Sequence, residues 1–66
     1  MLKTKDGYEV KEGMWISSPD TVCEVNKIFD DKLYATEIIY TDDKGSYELG
    51  DKLTITKNDL HHYSYN

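Results

Sequence analysis

His61 and His62 are the only histidines of the chain, and Cys23 is its only cysteine. With 13 Asp and Glu residues, they are what a metal or catalytic centre would have to be built from. Zinc asks for several Cys, His or carboxylate ligands converging on one point. Neighbours on an extended strand point to opposite faces, so His61 and His62 are poor joint ligands. Cys23 lies between Val22 and Glu24 in a β-forming run. With no second cysteine and no nearby histidine to activate it, it reads as a small buried hydrophobe, not a nucleophile. The acidic pairs Asp30–Asp31 and Asp42–Asp43 fall where hairpin tips are expected, and aspartate is favoured there for turn chemistry. General acid–base work needs a carboxyl in a pocket with a shifted pKa, which a solvated tip does not provide. Neither the spacing of a calcium loop nor a nucleophile elbow nor a phosphate-cradling glycine loop is present. The reading is a chain without a catalytic centre, metal site or cofactor, and not an enzyme.

The aromatic residues are a richer group. Trp15, Phe29 and six tyrosines make up 12% of the chain. Phe29 and two or three tyrosines are expected in the core. That leaves Trp15, Tyr34, Tyr40 and Tyr47 as candidates for a surface, where Tyr and Trp bury much area at low entropic cost. A sharper version of this idea is an aromatic cage around a methylated lysine. The net charge is −5, and all eight basic residues are Lys. Such a surface repels phosphate backbones and lacks the bidentate Arg reader of guanine, so direct nucleic-acid binding is not expected. Charge complementarity favours a basic partner, or a partner surface that ordinarily holds nucleic acid.

These side chains must be placed by a small scaffold. A chain of 66 residues makes one domain, 1–66, and buries only about 60% of its unfolded surface. A single cysteine excludes an intramolecular disulfide framework and fits a reducing compartment. The Lys3 and Lys5 region leads into no apolar segment of signal-peptide or membrane-spanning length, so the expected location is the cytoplasm. No stretch repeats apolar residues at helical spacing for three turns, whereas strand-like runs alternate with Gly, Pro and Asp punctuation.

Turns are expected at Lys5–Gly7, leading into Tyr8–Val10, at Lys11–Gly13 and at Ser18–Asp20. A long strand then runs from Thr21 to Phe29 and another from Leu33 to Thr41. Directly paired residues share a sheet face, which makes register testable. A two-residue Asp31–Lys32 loop sets Phe29 opposite Tyr34, Val25 opposite Ile38 and Cys23 opposite Tyr40. Asp42–Gly45 reads as a type I turn with Gly45 left-handed. By the same test, Gly50–Asp51–Lys52 is a three-residue loop that pairs Leu49 with Leu53 and Tyr47 with Ile55. Lys57–Leu60 is expected to form one helical turn capped by Asn58 or Asp59, and His61–Asn66 either a closing strand or a frayed tail.

Five short hairpin-connected strands, with a helical turn before the last, follow the plan of small SH3-like barrels. The stretch Val10-Lys11-Glu12-Gly13-Met14-Trp15-Ile16 resembles the opening of such domains, and Thr21-Val22-Cys23-Glu24-Val25-Asn26-Lys27-Ile28 the strand that follows it. The resemblance covers residues 8–29 and speaks to fold, not to function. The chain lacks the basic loops of transcription-factor relatives and the proline-binding aromatics of signalling SH3 domains. The fold expected is all-β: a five-stranded SH3-like barrel or a strongly bent antiparallel sheet. The function expected is a protein-binding module using Trp15, Tyr34, Tyr40, Tyr47, Asp30, Asp31, Asp42 and Asp43. The second reading is a small acidic anti-defence or nucleic-acid-mimic inhibitor, of phage or plasmid type, occupying a basic groove. A homodimer that buries an edge strand is a third possibility.

Overall fold

The computed structural model describes residues 1–66. Five strands form one antiparallel sheet: β1 (Trp15–Ser17), β2 (Val22–Ile28), β3 (Lys32–Tyr40), β4 (Tyr47–Thr56) and β5 (Ser64–Tyr65). A 3₁₀ turn, Asp59–His62, precedes β5, and there is no α-helix. The strand order is β4-β3-β2-β1-β5. The end strands β4 and β5 do not pair, so the sheet is all-β and open, not a closed barrel. No helix is long and apolar enough to cross a membrane.

The sheet wraps one face around a core of Leu2, Val10, Ile16, Cys23, Val25, Leu33, Ala35, Ile55 and Leu60. Leu2 and Val10 enter it from the N-terminal segment, where Val10 N–H donates to Leu2 O at 2.9 Å and Lys3 bridges Glu9. Tyr8–Val10, after the Lys5–Gly7 turn, contributes only that single bridge. No aromatic belongs to this core. Phe29 is half-buried, Tyr63 packs against the core from its edge, and the other tyrosines are exposed. Cys23 is fully buried, and that burial pushes its thiol pKa up to about 11. Loss of thiolate alone slows attack on a disulfide reagent about 100-fold near pH 8. In the folded protein, Cys23 should therefore resist Ellman's reagent for hours and react at once in denaturant. Rapid labelling of the native protein would contradict this placement.

Two β-bulges decide which residues face which side. On β2, Val25 pairs with Ala35 but Lys27 pairs with Tyr34, which leaves Asn26 as an extra residue. Val25 and Ile28 consequently both turn toward the core, three positions apart instead of two. The turn closes on Asp30–Asp31, with Phe29 N–H donating to Lys32 O at 2.9 Å. The expected Asp31–Lys32 loop and its pairs are thus wrong: Lys27, not Phe29, faces Tyr34, Cys23 faces Glu37, and Val25 faces Ala35. The reason is the bulge: strict alternation fails at Asn26, so Ile28 pairs with Leu33 on the core side and the two-residue loop falls on Asp30–Asp31, closing with no residue at positive φ.

On β4, Leu49 pairs with Ile38 and Lys52 with Thr36, so Gly50 and Asp51 together oppose Glu37. Residues 47–56 are one continuous strand, and the expected Gly50–Lys52 loop does not exist. Space favours glycine at the bulge. A Cβ on Gly50 would come within 2.6 Å of Glu37 Oε1 and 2.8 Å of Ile39 Cδ1, side-chain ends that would have to move, and 3.2 Å of Glu37 Cβ. The Asp42–Gly45 turn forms as expected. Gly45 has φ +97°, Thr41 N–H donates to Ser46 O at 2.9 Å, and Tyr40 pairs with Tyr47.

The 3₁₀ turn lies slightly later than expected and takes in both histidines. Asn58 makes no side-chain cap. Thr56 Oγ1 instead accepts from Asp59 N–H at 3.2 Å. The tail after it is tied down, for Tyr65 pairs with Ile16 and Asn66 N–H donates to Trp15 O. Asp6 joins the two chain ends by accepting from Thr4 Oγ1 and from Tyr65 N–H. The Thr4 hydroxyl, and secondarily the Tyr65 amide, hold the Asp6 carboxyl below its ordinary value. A depressed folded pKa adds stability above the unfolded pKa and loses it as pH falls through the folded one. Asp6→Asn should therefore unfold more easily than wild type at pH 7, with the gap closing as pH falls below the ordinary carboxylate range and Asp6 itself protonates. Urea titrations at several pH values check this, and a gap independent of pH would contradict it.

Candidate functional site

The β4 bulge gives the sheet a second furnished face. Before it, Tyr47 and Leu49 pair with Tyr40 and Ile38. After it, Leu53 and Ile55 pair with Ala35 and Leu33 of the core. Odd-numbered residues of one strand thus serve both faces in turn. The outer face receives Trp15, Val22, Glu24, Ile38, Tyr40, Tyr47 and Leu49, which are linked through the pairs Trp15–Glu24, Val22–Ile38 and Ile38–Leu49. Ile38 is 5% exposed although it lies outside the core cluster, so this face is packed in its own right.

Three of the four expected aromatic site residues come together here. The Trp15 ring centroid lies 5.0 Å from that of Tyr47, edge to face, and 6.5 Å from that of Tyr40. Two strands separate β1 from β4, so these rings meet across β2 and β3 because the sheet bends toward them. The indole is held in place by Trp15 Nε1–H donating to Glu24 Oε1 at 2.9 Å. Edge-to-face contact at this distance adds a modest stabilisation beyond burial. At this separation no cation can lie sandwiched between Trp15 and Tyr47. Tyr40 and Tyr47 remain 48% and 45% exposed, and Leu49 is 64% exposed. An apolar, aromatic surface therefore stays open to solvent.

Asp42 and Asp43 stand in the turn that joins Tyr40 to Tyr47, at the rim of this patch. Asp42 is a turn residue: its Oδ1 accepts from Lys44 N–H at 2.8 Å and Ser46 N–H at 3.1 Å. Those amides hold the carboxyl below its ordinary value, and it remains an anion at neutral pH. Asp43 is exposed in the same turn.

Tyr34, Asp30 and Asp31 lie elsewhere, at the opposite end of β3. Tyr34 packs against Phe29 with centroids 5.0 Å apart, and Lys32 Nζ sits 5.5 Å from the Phe29 centroid and 5.7 Å from that of Tyr34. Asp30 and Asp31 form the adjoining turn, where Asp31 O accepts from Lys57 N–H. The eight expected residues thus divide into two places instead of one surface. Sequence reasoning did not anticipate Glu24, Ile38 and Leu49 as parts of the patch. The signal available was the Gly50–Asp51 pair inside a strand-like run, since glycine within a strand marks a bulge.

His61 and His62 line different grooves, and no group of three His, Cys, Asp or Glu side chains comes together to hold a metal ion. Comparison with protein-family models, with curated proteins and with solved structures finds no match for the chain.

Proposed function

We propose that this chain is a non-enzymatic protein-binding module whose contact surface is the Trp15–Tyr40–Tyr47 patch with the carboxylates at its rim. One observation carries the reading. The Trp15 ring meets both Tyr47 and Tyr40 on a sheet face apart from the core, and the two tyrosines stay half-exposed. Rings that only completed the fold would be expected in the core, and this core is entirely aliphatic apart from Cys23. Glu24, Asp42 and Asp43 favour a partner segment that presents basic residues around an apolar anchor. The meander of four strands, with a 3₁₀ turn returning the fifth to β1, supports a plan like that of SH3-like barrels.

The nucleic-acid-mimic reading asks for a row of carboxylates at phosphate spacing. Here the two acidic pairs stand at opposite ends of the nine-residue β3, which favours the module. Selection of displayed random peptides on the wild-type domain, counter-selected on Trp15→Ala, separates the two readings. The module predicts basic, apolar-centred peptides that lose binding to Trp15→Ala and keep it to Asp30→Asn/Asp31→Asn. Peptides or proteins that ignore Trp15 but release the domain when all four aspartates are neutralised, with a steep dependence on salt, would favour the mimic.

A further inference from the structure

The two edges of the sheet differ. The N-terminal segment covers β5, with Tyr65 N–H donating to Asp6 Oδ1 at 3.2 Å and Lys5 N–H to Tyr63 O at 2.8 Å. β4 has no such cover along its middle. Lys57 N–H donates to Asp31 O, which marks 31 and 57 as a hydrogen-bonded pair. Alternation in an antiparallel ladder then gives the inward bonds to Ile55 and Leu53, opposite Leu33 and Ala35. Lys52 and Thr54 accordingly turn their N–H and C=O away from β3. No loop or turn group bonds to either backbone.

Two grooves flank this edge, one on each side of the sheet, and both include Leu53 and Thr54. The groove on the outer face, of about 430 Å³, is lined by Asn26, Lys27, Tyr34 and Lys52. Its cations are not neutralised by carboxylates: Lys27 Nζ sits 5.5 Å from the Phe29 ring centroid, and Lys52 donates to Thr36 Oγ1 at 3.2 Å. The groove on the core side, of about 410 Å³, is lined by Asp20 and Asp59 with Pro19, His62 and Tyr63. One pair of outward-facing backbone positions thus stands between a lysine-lined groove and a carboxylate-lined one.

We propose that β4 accepts an extended segment of a partner protein as a sixth strand, and that this segment carries an acidic residue opposite Thr54 and a basic residue beside it. In strand addition the main chain supplies affinity, and pockets for alternate side chains supply specificity. A residue opposite Thr54 shares its face, which is that of Lys27 and Lys52. The next side chain points to the other face, toward Asp20 and Asp59. A second copy of this chain fits badly. Pairing of β4 strands about a two-fold axis keeps each face on its own side, so Lys52 of one copy would meet the lysines of the other. This edge is separate from the Trp15 patch and stands whether or not that patch binds.

The test uses two octapeptides of threonine and valine. One carries glutamate and lysine as adjacent central residues, and the other separates them by one residue, so that both face the same way. In amide-resolved NMR titrations the adjacent peptide should shift Lys52 and Thr54 and bind at least 10-fold more tightly than the spaced one. Thr54→Pro removes an outward N–H but no bond to β3, and should abolish those shifts. Asp20→Asn/Asp59→Asn should weaken the adjacent peptide several-fold, and it serves alone should Thr54→Pro not fold. Equal binding of the two peptides would overturn the proposal. So would shifts confined to Trp15, Tyr40 and Tyr47, or Lys52 and Thr54 amides that move with protein concentration alone.

Discussion

Leu33→Ala should cost the domain a large part of its stability. Leu33 is 0% exposed, sits on the interior strand β3, and pairs with Ile28 on one side and Ile55 on the other. Truncating a buried leucine typically costs about 2–5 kcal/mol, because the cavity adds to the lost transfer energy. The whole domain has little to spare. At roughly 0.05–0.15 kcal/mol per residue, a chain of 66 residues is stable by only about 3–10 kcal/mol. A domain of this size loses about 4–8 °C of melting temperature per kcal/mol. The expected drop is therefore tens of degrees, read by circular dichroism or by urea titration. Leu33→Met keeps the volume and should cost less than about 1.5 kcal/mol. A Leu33→Ala protein melting within a few degrees of wild type would mean that the core is not organised around β3.

The β strands were legible because their signals are local. Val22, Cys23 and Val25, bounded by Pro19–Asp20 and Asp30–Asp31, place β2 without any knowledge of its neighbours. Gly45 after Asp42 gives the β3–β4 turn for the same reason: the left-handed corner and the Asp42 side-chain bonds lie within five residues. Register was not legible, since it depends on what crosses the sheet. Asn26 is an ordinary polar residue in the sequence. In the fold it is the extra residue of a bulge whose side chain ties β2 to β3, with Thr36 Oγ1 donating to Asn26 Oδ1 at 2.6 Å. Pairing rules that assume unbroken alternation must fail there, and they shifted the whole hairpin.

The same cause explains how the site was half seen. Trp15, Tyr40 and Tyr47 were singled out by residue type, and the fold does bring them together. Tyr34 was singled out for the same reason, yet it sits six residues from Tyr40 on the same face of a nine-residue strand, too far along to join. Taking Gly50–Asp51–Lys52 as a loop sent Tyr47 and Leu49 to the face of Leu53 and Ile55. The bulge sends them to the other face. The bulge at Gly50, where a Cβ would crowd Glu37, therefore separates an aliphatic core from an aromatic surface.

That separation sets the second large effect. Trp15→Ala should weaken partner binding at least 30-fold, about 2 kcal/mol, while the domain stays folded. Trp15 is only partly buried and lies outside the core cluster. Its removal forfeits the contact with Tyr47 and the hydrogen bond to Glu24, and should lower stability by about 1–2 kcal/mol, less than a core truncation. Its cost to binding is larger, because Tyr40 and Tyr47 lose the ring that fixes their positions and the patch loses its broadest apolar anchor. Trp15→Phe retains part of the aromatic contact but not the Nε1–H bond to Glu24, and should fall between wild type and alanine. Tyr34→Ala, at the far end of β3, should leave affinity within about 2-fold of wild type, as expected of a residue remote from the contact. Titration of a selected peptide against these three variants, with melting curves alongside, separates loss of surface from loss of fold. If Tyr34→Ala weakened binding as much as Trp15→Ala, the contact would span both ends of β3, and the patch alone would not be the site.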